Sequence, residues 1–134
     1  MDPKILIFED NDMIRSSLKT LLVGQGYQVQ VYSNPGLCPQ YGCSNQKCSM
    51  DDPCFDIIIS DVHMPVQSGL ELLANRLELG CKVKFHALMS ADWSESDLQH
   101  ARELGCRVFH KPFDLRELLE WVEFCHNKLE TIIA

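Results

Sequence analysis

The sequence predicts an α/β fold built on a doubly wound, five-stranded parallel sheet. Three observations carry this. Short apolar runs alternate along the chain with segments of helical period. Most of these runs lack the in-out alternation of a half-exposed strand, so both of their faces are buried, as in a parallel sheet covered by helices. The length of 134 residues suits one domain of this kind. A chain near this size buries roughly 70% of its unfolded surface and needs no disulfide to hold a core.

The first strand is the apolar run Lys4-Ile5-Leu6-Ile7-Phe8. A helix follows over Met13 to Val23, with Ile14, Leu18, Leu21 and Leu22 on one face and Gly24 and Gly26 to end it. Tyr27 to Tyr32 alternates, with Tyr27, Val29 and Val31 on one side and Gln28 and Gln30 on the other, as expected of an edge strand. Phe55 to Ser60 is a buried strand containing three consecutive isoleucines. Leu70, Leu73, Ala74 and Leu77 form a second helical stripe, closed by Gly80. Val83 to Met89 is the fourth strand. Ser94 with Asp97 resembles a capping box at the start of a helix that runs to Leu104. Val108-Phe109 is a short fifth strand. Asp114 with Glu117 opens a last helix striped by Leu115, Leu118, Leu119, Val122, Cys125, Leu129 and Ile132. One helix of the alternation is missing. Residues 34–54 contain three prolines, two glycines and four cysteines, with no helical period.

Composition narrows the function. Hydrophobic residues make up 46% and charged residues 23%, which excludes a disordered tail. Nineteen acidic against twelve basic side chains leave a net charge of −7, and the cations form no run. Direct nucleic-acid binding is therefore not expected. The N-terminal apolar run is too short for a signal peptide, and no segment approaches a membrane span. The expected location is the cytoplasm, where thiols stay reduced.

In an open parallel sheet, ligands sit outside the carboxyl ends of the strands. The first strand ends in Glu9 and Asp10, the third in Asp61, the fourth in Ser90 and the fifth in Lys111. Three carboxylates cannot share a pocket unaided. Two like charges about 4 Å apart repel by roughly 4 kcal/mol at an effective dielectric near 20. A hard divalent cation such as Mg²⁺ offsets that repulsion and accepts a phosphoryl oxygen as a further ligand. Lys111 and Ser90 are suited to two other phosphoryl oxygens. Such a site transfers phosphoryl groups by positioning and charge.

The motifs Glu9-Asp10, Asp61-Val62-His63-Met64-Pro65 with Gly69, Ser90-Ala91 and Lys111-Pro112-Phe113 fall in order, each at or after a strand end. Over nearly its whole length the chain resembles the receiver domain of two-component response regulators, of the chemotaxis-regulator kind. The resemblance implies a flavodoxin-like receiver fold, strand order 2-1-3-4-5, spanning residues 1–134, with 34–54 as an irregular insertion. It implies that Asp61 accepts phosphate from a histidine kinase or phosphotransfer protein. Glu9, Asp10, Asp61 and the backbone carbonyl of His63 would hold Mg²⁺. Asp61, Ser90 and Lys111 would carry the chemistry, with no enzymatic turnover beyond slow autodephosphorylation. Signalling would proceed through altered contacts with a downstream protein, or a homodimer, at the fourth helix, fifth strand and fifth helix of the family, Ser94 to Ile133. The chain ends after that helix, so a stand-alone receiver is expected. His63 and Asp92, each two residues beyond a site residue, are expected to affect dephosphorylation.

The resemblance departs at one point. Family members usually carry Tyr or Phe three residues before the lysine; Val108 is there, with Phe109 one residue later. A one-residue offset in a strand puts a side chain on the opposite face. Either the local loop is compressed or the aromatic switch is absent.

Cys38, Cys43, Cys48 and Cys54 all fall in the irregular segment. Four thiolates suit tetrahedral Zn²⁺ or an iron–sulfur cluster. A reversible disulfide and free thiols are the other readings. The alternative function is accordingly a metal- or redox-sensing module on a receiver scaffold. Cys81, Cys106 and Cys125 read as small buried hydrophobes. Trp93 and Trp121 read as helix packing.

Overall fold

The structure, a computed structural model, describes residues 3–35, 55–64 and 67–133. Cys38, Cys43, Cys48, Cys54 and Pro65 lie outside the described residues, as does nearly all of the segment 34–54.

Among the described residues five strands and four helices follow one another: β1 (Lys4–Phe8), α1 (Asp12–Gly24), β2 (Gln28–Tyr32), β3 (Ile57–Asp61), α2 (Gly69–Glu78), β4 (Phe85–Ser90), α3 (Glu95–Leu104), β5 (Arg107–His110) and α4 (Leu115–Ile133). All strand pairings are parallel, in the order β2-β1-β3-β4-β5. The alternating strand β2 is an edge, as its pattern predicts.

The period of two in each strand explains why the helices divide between the faces. Ile5, Ile7, Ile57, Ile59, Ala87, Met89 and Phe109 point to one face, where Leu18 and Leu22 of α1 and Leu118, Val122 and Cys125 of α4 cover them. Leu6, Phe8, Ile58 and Leu88 point to the other, against Leu70, Leu72 and Leu73 of α2 and Ala101 of α3. Nearly every side chain of β1 and β3 is buried on one face or the other.

The helix starts are capped as their sequences suggest. Asn11 accepts from the Ile14 amide at 3.0 Å, Ser68 from Glu71 at 3.1 Å, and Ser94 from Asp97 at 3.0 Å. Helix α3 closes at Gly105, whose φ of 75° is left-handed.

Several boundaries differ from the sequence reading; β3, for example, runs from Ile57 to Asp61 rather than from Phe55 to Ser60. Strand β4 begins at Phe85, not Val83, because its ladder with β3 starts at Ile57↔Phe85. Strand β5 runs from Arg107 to His110, two residues longer than expected, in register with Ala87 to Ser90. Cys125 is buried, and Cys81 and Cys106 are half-buried against the second core. Burial pushes the thiols of Cys106 and Cys125 up to about 12, as expected of packing residues rather than reactive ones.

Candidate functional site

The carboxyl ends of β1, β3, β4 and β5 meet at one edge of the sheet. The strand order places β1 and β3 side by side, so Glu9 and Asp10 arrive next to Asp61. Oxygens of these three residues all lie within 4.8 Å of one another. Glu9 is fully buried and Asp61 is 3% exposed, while Asp10 is exposed. Ser90, also buried, and Lys111 complete the group. A cavity of about 190 Å³ is lined by Asp10, Asp61, His63, Ser90, Asp92 and Lys111, with Met89 and Ala91 between them. Every expected residue of the acidic site is thus within one small neighbourhood.

The Lys111 ammonium holds the acids together. Its Nζ lies 2.8 Å from Glu9 Oε2 and 2.5 Å from Asp61 Oδ1. The second Glu9 oxygen accepts from the Asn11 amide at 3.1 Å, and Asp61 Oδ2 accepts from the Asp10 amide at 3.3 Å. Burial and the hydrogen-bonded Glu9 push the Asp61 carboxyl up to about 8, against the opposing pull of Lys111. Burial works against the charge on Lys111, but its bonds to Asp61 and Glu9 outweigh this and raise its pKa.

These residues fit a hard divalent cation. Among the described residues three carboxyl groups face one ammonium, an excess of acid that a cation would offset, and every side-chain ligand atom is oxygen. His63 lines the same cavity.

Two residues to which the sequence reading gave no part in the site also support it. Arg15 of α1 donates from Nη1 to the Glu9 carbonyl at 2.9 Å and pairs with Asp12, pinning the turn that carries Glu9 and Asp10. An arginine one helical turn after the acidic pair was a readable signal. Trp93 lies in the loop between β4 and α3, not on a helix as expected. Its indole Nε1–H donates to the Phe109 carbonyl at 3.0 Å. Trp121 does pack on a helix, edge-on to Phe109.

The aromatic question is settled by strand parity. Phe109 is fully buried on the α1/α4 face, and Val108 points to the α2/α3 face. The β4–β5 ladder is regular from Ala87↔Arg107 to Ser90↔His110, so no compression brings Phe109 round to the position of Val108.

The strand order and the acidic cluster at its carboxyl edge are those of a receiver domain. The sequence pattern of the response regulator receiver domain matches residues 5–123, and the chain belongs to that family. CpdR, a response regulator receiver protein of Brucella abortus, is 29% identical over 122 residues, covering 90% of this chain and 93% of CpdR. A probable transcriptional regulator, ycf29 of Pyropia yezoensis, is also 29% identical, but this chain spans only 51% of its length. Among solved structures, the N-terminal domain of an uncharacterized protein from Wolinella succinogenes superposes with a TM-score of 0.78 at 29% identity, over 96% of this chain and 98% of that one. The chemotaxis protein CheY4 of Vibrio cholerae gives 0.71 at 26%, over 93% and 99%.

Proposed function

We propose that this chain is a phosphoacceptor in a two-component phosphorelay, with Asp61 as the acceptor. The observation that carries the reading is the single ammonium of Lys111 shared by Glu9 and Asp61, beside Ser90, in one cavity. Receiver domains work with histidine kinases or phosphotransfer proteins, so the donor is a phosphohistidine. An Asp61 carboxylate oxygen attacks phosphorus, the P–N bond breaks, and the imidazole leaves with the electron pair. Lys111 stays beside the Asp61 oxygen that carries or borders the new acyl phosphate. Ser90, which lines the cavity at the end of β4, donates its hydroxyl proton to a phosphoryl oxygen. Glu9, Asp10, Asp61 and the His63 carbonyl would hold magnesium, which would offset the acidic charge and favour a phosphoryl oxygen beside it.

A protein donor finds apolar ground at the mouth. A second cavity, of about 560 Å³, shares Ala91 and Lys111 with the first and is lined by Met13, Ile14, Phe113 and Leu115. Met13 is 80% exposed there. The chain turns over no separate substrate; it holds the phosphoryl group and loses it slowly to water. Among the described residues no helix is long and apolar enough to cross a membrane, in keeping with a cytoplasmic role. Zinc, an iron–sulfur cluster or redox sensing at Cys38, Cys43, Cys48 and Cys54 gains no support from the described residues.

Incubation with phosphoramidate and Mg²⁺ tests the proposal by intact mass. One phosphoryl group per chain, mapped to Asp61 and suppressed by a chelator, is the expected result. An unmodified chain, or a phosphoryl group on another residue, overturns it.

His63 and Asp92 are the two exposed side chains in the cavity lining, besides Asp10, that can engage an attacking water. The Asp92→Ala, His63→Ala double variant is expected to lengthen the phosphoryl half-life about tenfold, equivalent to ~1.4 kcal/mol of barrier. Equal half-lives in variant and wild type rule the role out.

A further inference from the structure

Four residues link the acceptor cavity to helix α3, and each end of the link is fixed. At one end Ser90 lies 4% exposed in the cavity, and its Oγ accepts from the Asp92 amide at 3.0 Å. At the other end Ser94 caps α3 through the Asp97 amide. Between them, Trp93 reaches across to β5. Its indole N–H donates to the Phe109 carbonyl at 3.0 Å, and its ring meets that of His110 edge-on, centroids 6.3 Å apart. The same short stretch of β5 leads into Lys111, whose amide donates to the Ser90 carbonyl at 2.8 Å.

The β5 side chains on this face are Val108, half-buried against the same core as Trp93, and the exposed His110, whose ring meets the indole. The larger of the two rings that join the loop to β5 therefore comes from the loop. An indole donor has one proton and one acceptor here, so a shift of the loop either carries the bond with it or breaks it.

We infer that Trp93 transmits the state of the acceptor cavity to the surface formed by α3 and β5. The inference rests on the phosphoacceptor reading. When Ser90 closes on a phosphoryl oxygen, its bond to the Asp92 amide draws residues 91–93 after it. The bond from Trp93 to Phe109 then gives way, freeing the N-terminus of α3 and the end of β5 to change their contacts. Arg107, at the start of β5, pairs with Glu117 of α4 at 3.3 Å, so the change reaches α4 as well.

The test uses beryllofluoride, a phosphoryl mimic, with Mg²⁺ on the full chain. Fluorine NMR reports whether the mimic binds, and nitrogen–proton NMR follows the indole N–H, assigned with Trp93→Phe. The expected result is bound mimic with a displaced Trp93 indole resonance whose exchange with solvent quickens several-fold. Ser90→Ala is expected to keep the indole where it is in the free protein. Trp93→Phe keeps an aromatic ring and removes the donor; it is expected to accept phosphate at the wild-type rate while amide exchange at α3 and β5 no longer responds. Bound mimic with an unmoved Trp93 indole overturns the inference and leaves the phosphoacceptor reading standing. Failure of the mimic to bind overturns both.

Discussion

Asp61→Asn is expected to abolish phosphoryl acceptance and, in the presence of a chelator, to raise the unfolding temperature. The loss of acceptance follows because an amide oxygen is no nucleophile and the substitution removes the attacking group. The gain in stability follows from charge. Asp61 is buried against Glu9, and a single ammonium serves both. Its carboxyl therefore titrates near 8 in the folded chain against 3.8 for an ordinary one. The sign follows from proton linkage. Between these two values the folded state binds more protons than the unfolded state, so stability falls as pH rises from about 4 to about 8. The asparagine does not titrate. The advantage of the variant is therefore nil near pH 4, grows through that window and levels off above it. A gain on the order of 1 kcal/mol at neutral pH would move the midpoint by roughly 4 °C. Magnesium reverses the order. Binding only the folded wild type at a hundredfold excess over its dissociation constant adds about 2.7 kcal/mol, and the variant, lacking one ligand, gains less. Thermal melts of both proteins across that pH range, with and without Mg²⁺, check the argument. An Asn variant that melts below the wild type in chelator at neutral pH sinks the electrostatic account.

The two-faced core was legible because consecutive isoleucines at 57 to 59 leave no polar face in β3. The site was legible because its residues sit at strand ends, where a parallel sheet collects them. Parity raised the Phe109 question but left two answers, and the β4–β5 register decided between them. Long-range partners could not. Lys111 pairs with Glu9 across 102 positions, and nothing local to either residue shows it. Trp93 was read as helix packing, yet the carbonyl it binds belongs to strand β5. Likewise the His126 ring meets that of Tyr27 edge-on across 99 positions. Period and capping depend on neighbours in sequence, whereas these contacts depend on where the sheet places whole elements.

Gly69→Ala is expected to destabilise the fold severely, although alanine is the better helix former. Gly69 opens α2 directly beneath the acceptor strand. A Cβ there would lie 2.2 Å from the Asp61 carbonyl oxygen and 2.9 Å from Leu88 Cδ2. The first contact is with backbone of a fully buried strand, which cannot give way as a side chain tip can. Nor can the helix retreat freely. The Gly69 amide donates to the Val62 carbonyl at 2.8 Å, and Leu70, Leu72 and Leu73 bury α2 against the sheet. Alanine gains about 1 kcal/mol in helix propensity. Overpacking a fixed site commonly costs about 1–3 kcal/mol and here, against immobile backbone, at least the upper figure. The overlap wins, with a net loss of about 2 kcal/mol or more and a fall in midpoint on the order of 10 °C. Because the displaced atom is the carbonyl of Asp61 itself, phosphoryl acceptance should fall with it. Gly24 supplies the control. It closes α1, and a Cβ there meets nothing within 4 Å, so Gly24→Ala should be neutral or stabilising by about 0.4–1 kcal/mol. Melting both variants beside the wild type separates close approach from propensity: if Gly69→Ala melts no lower than Gly24→Ala, the close approach of α2 to Asp61 is not what requires glycine at this position.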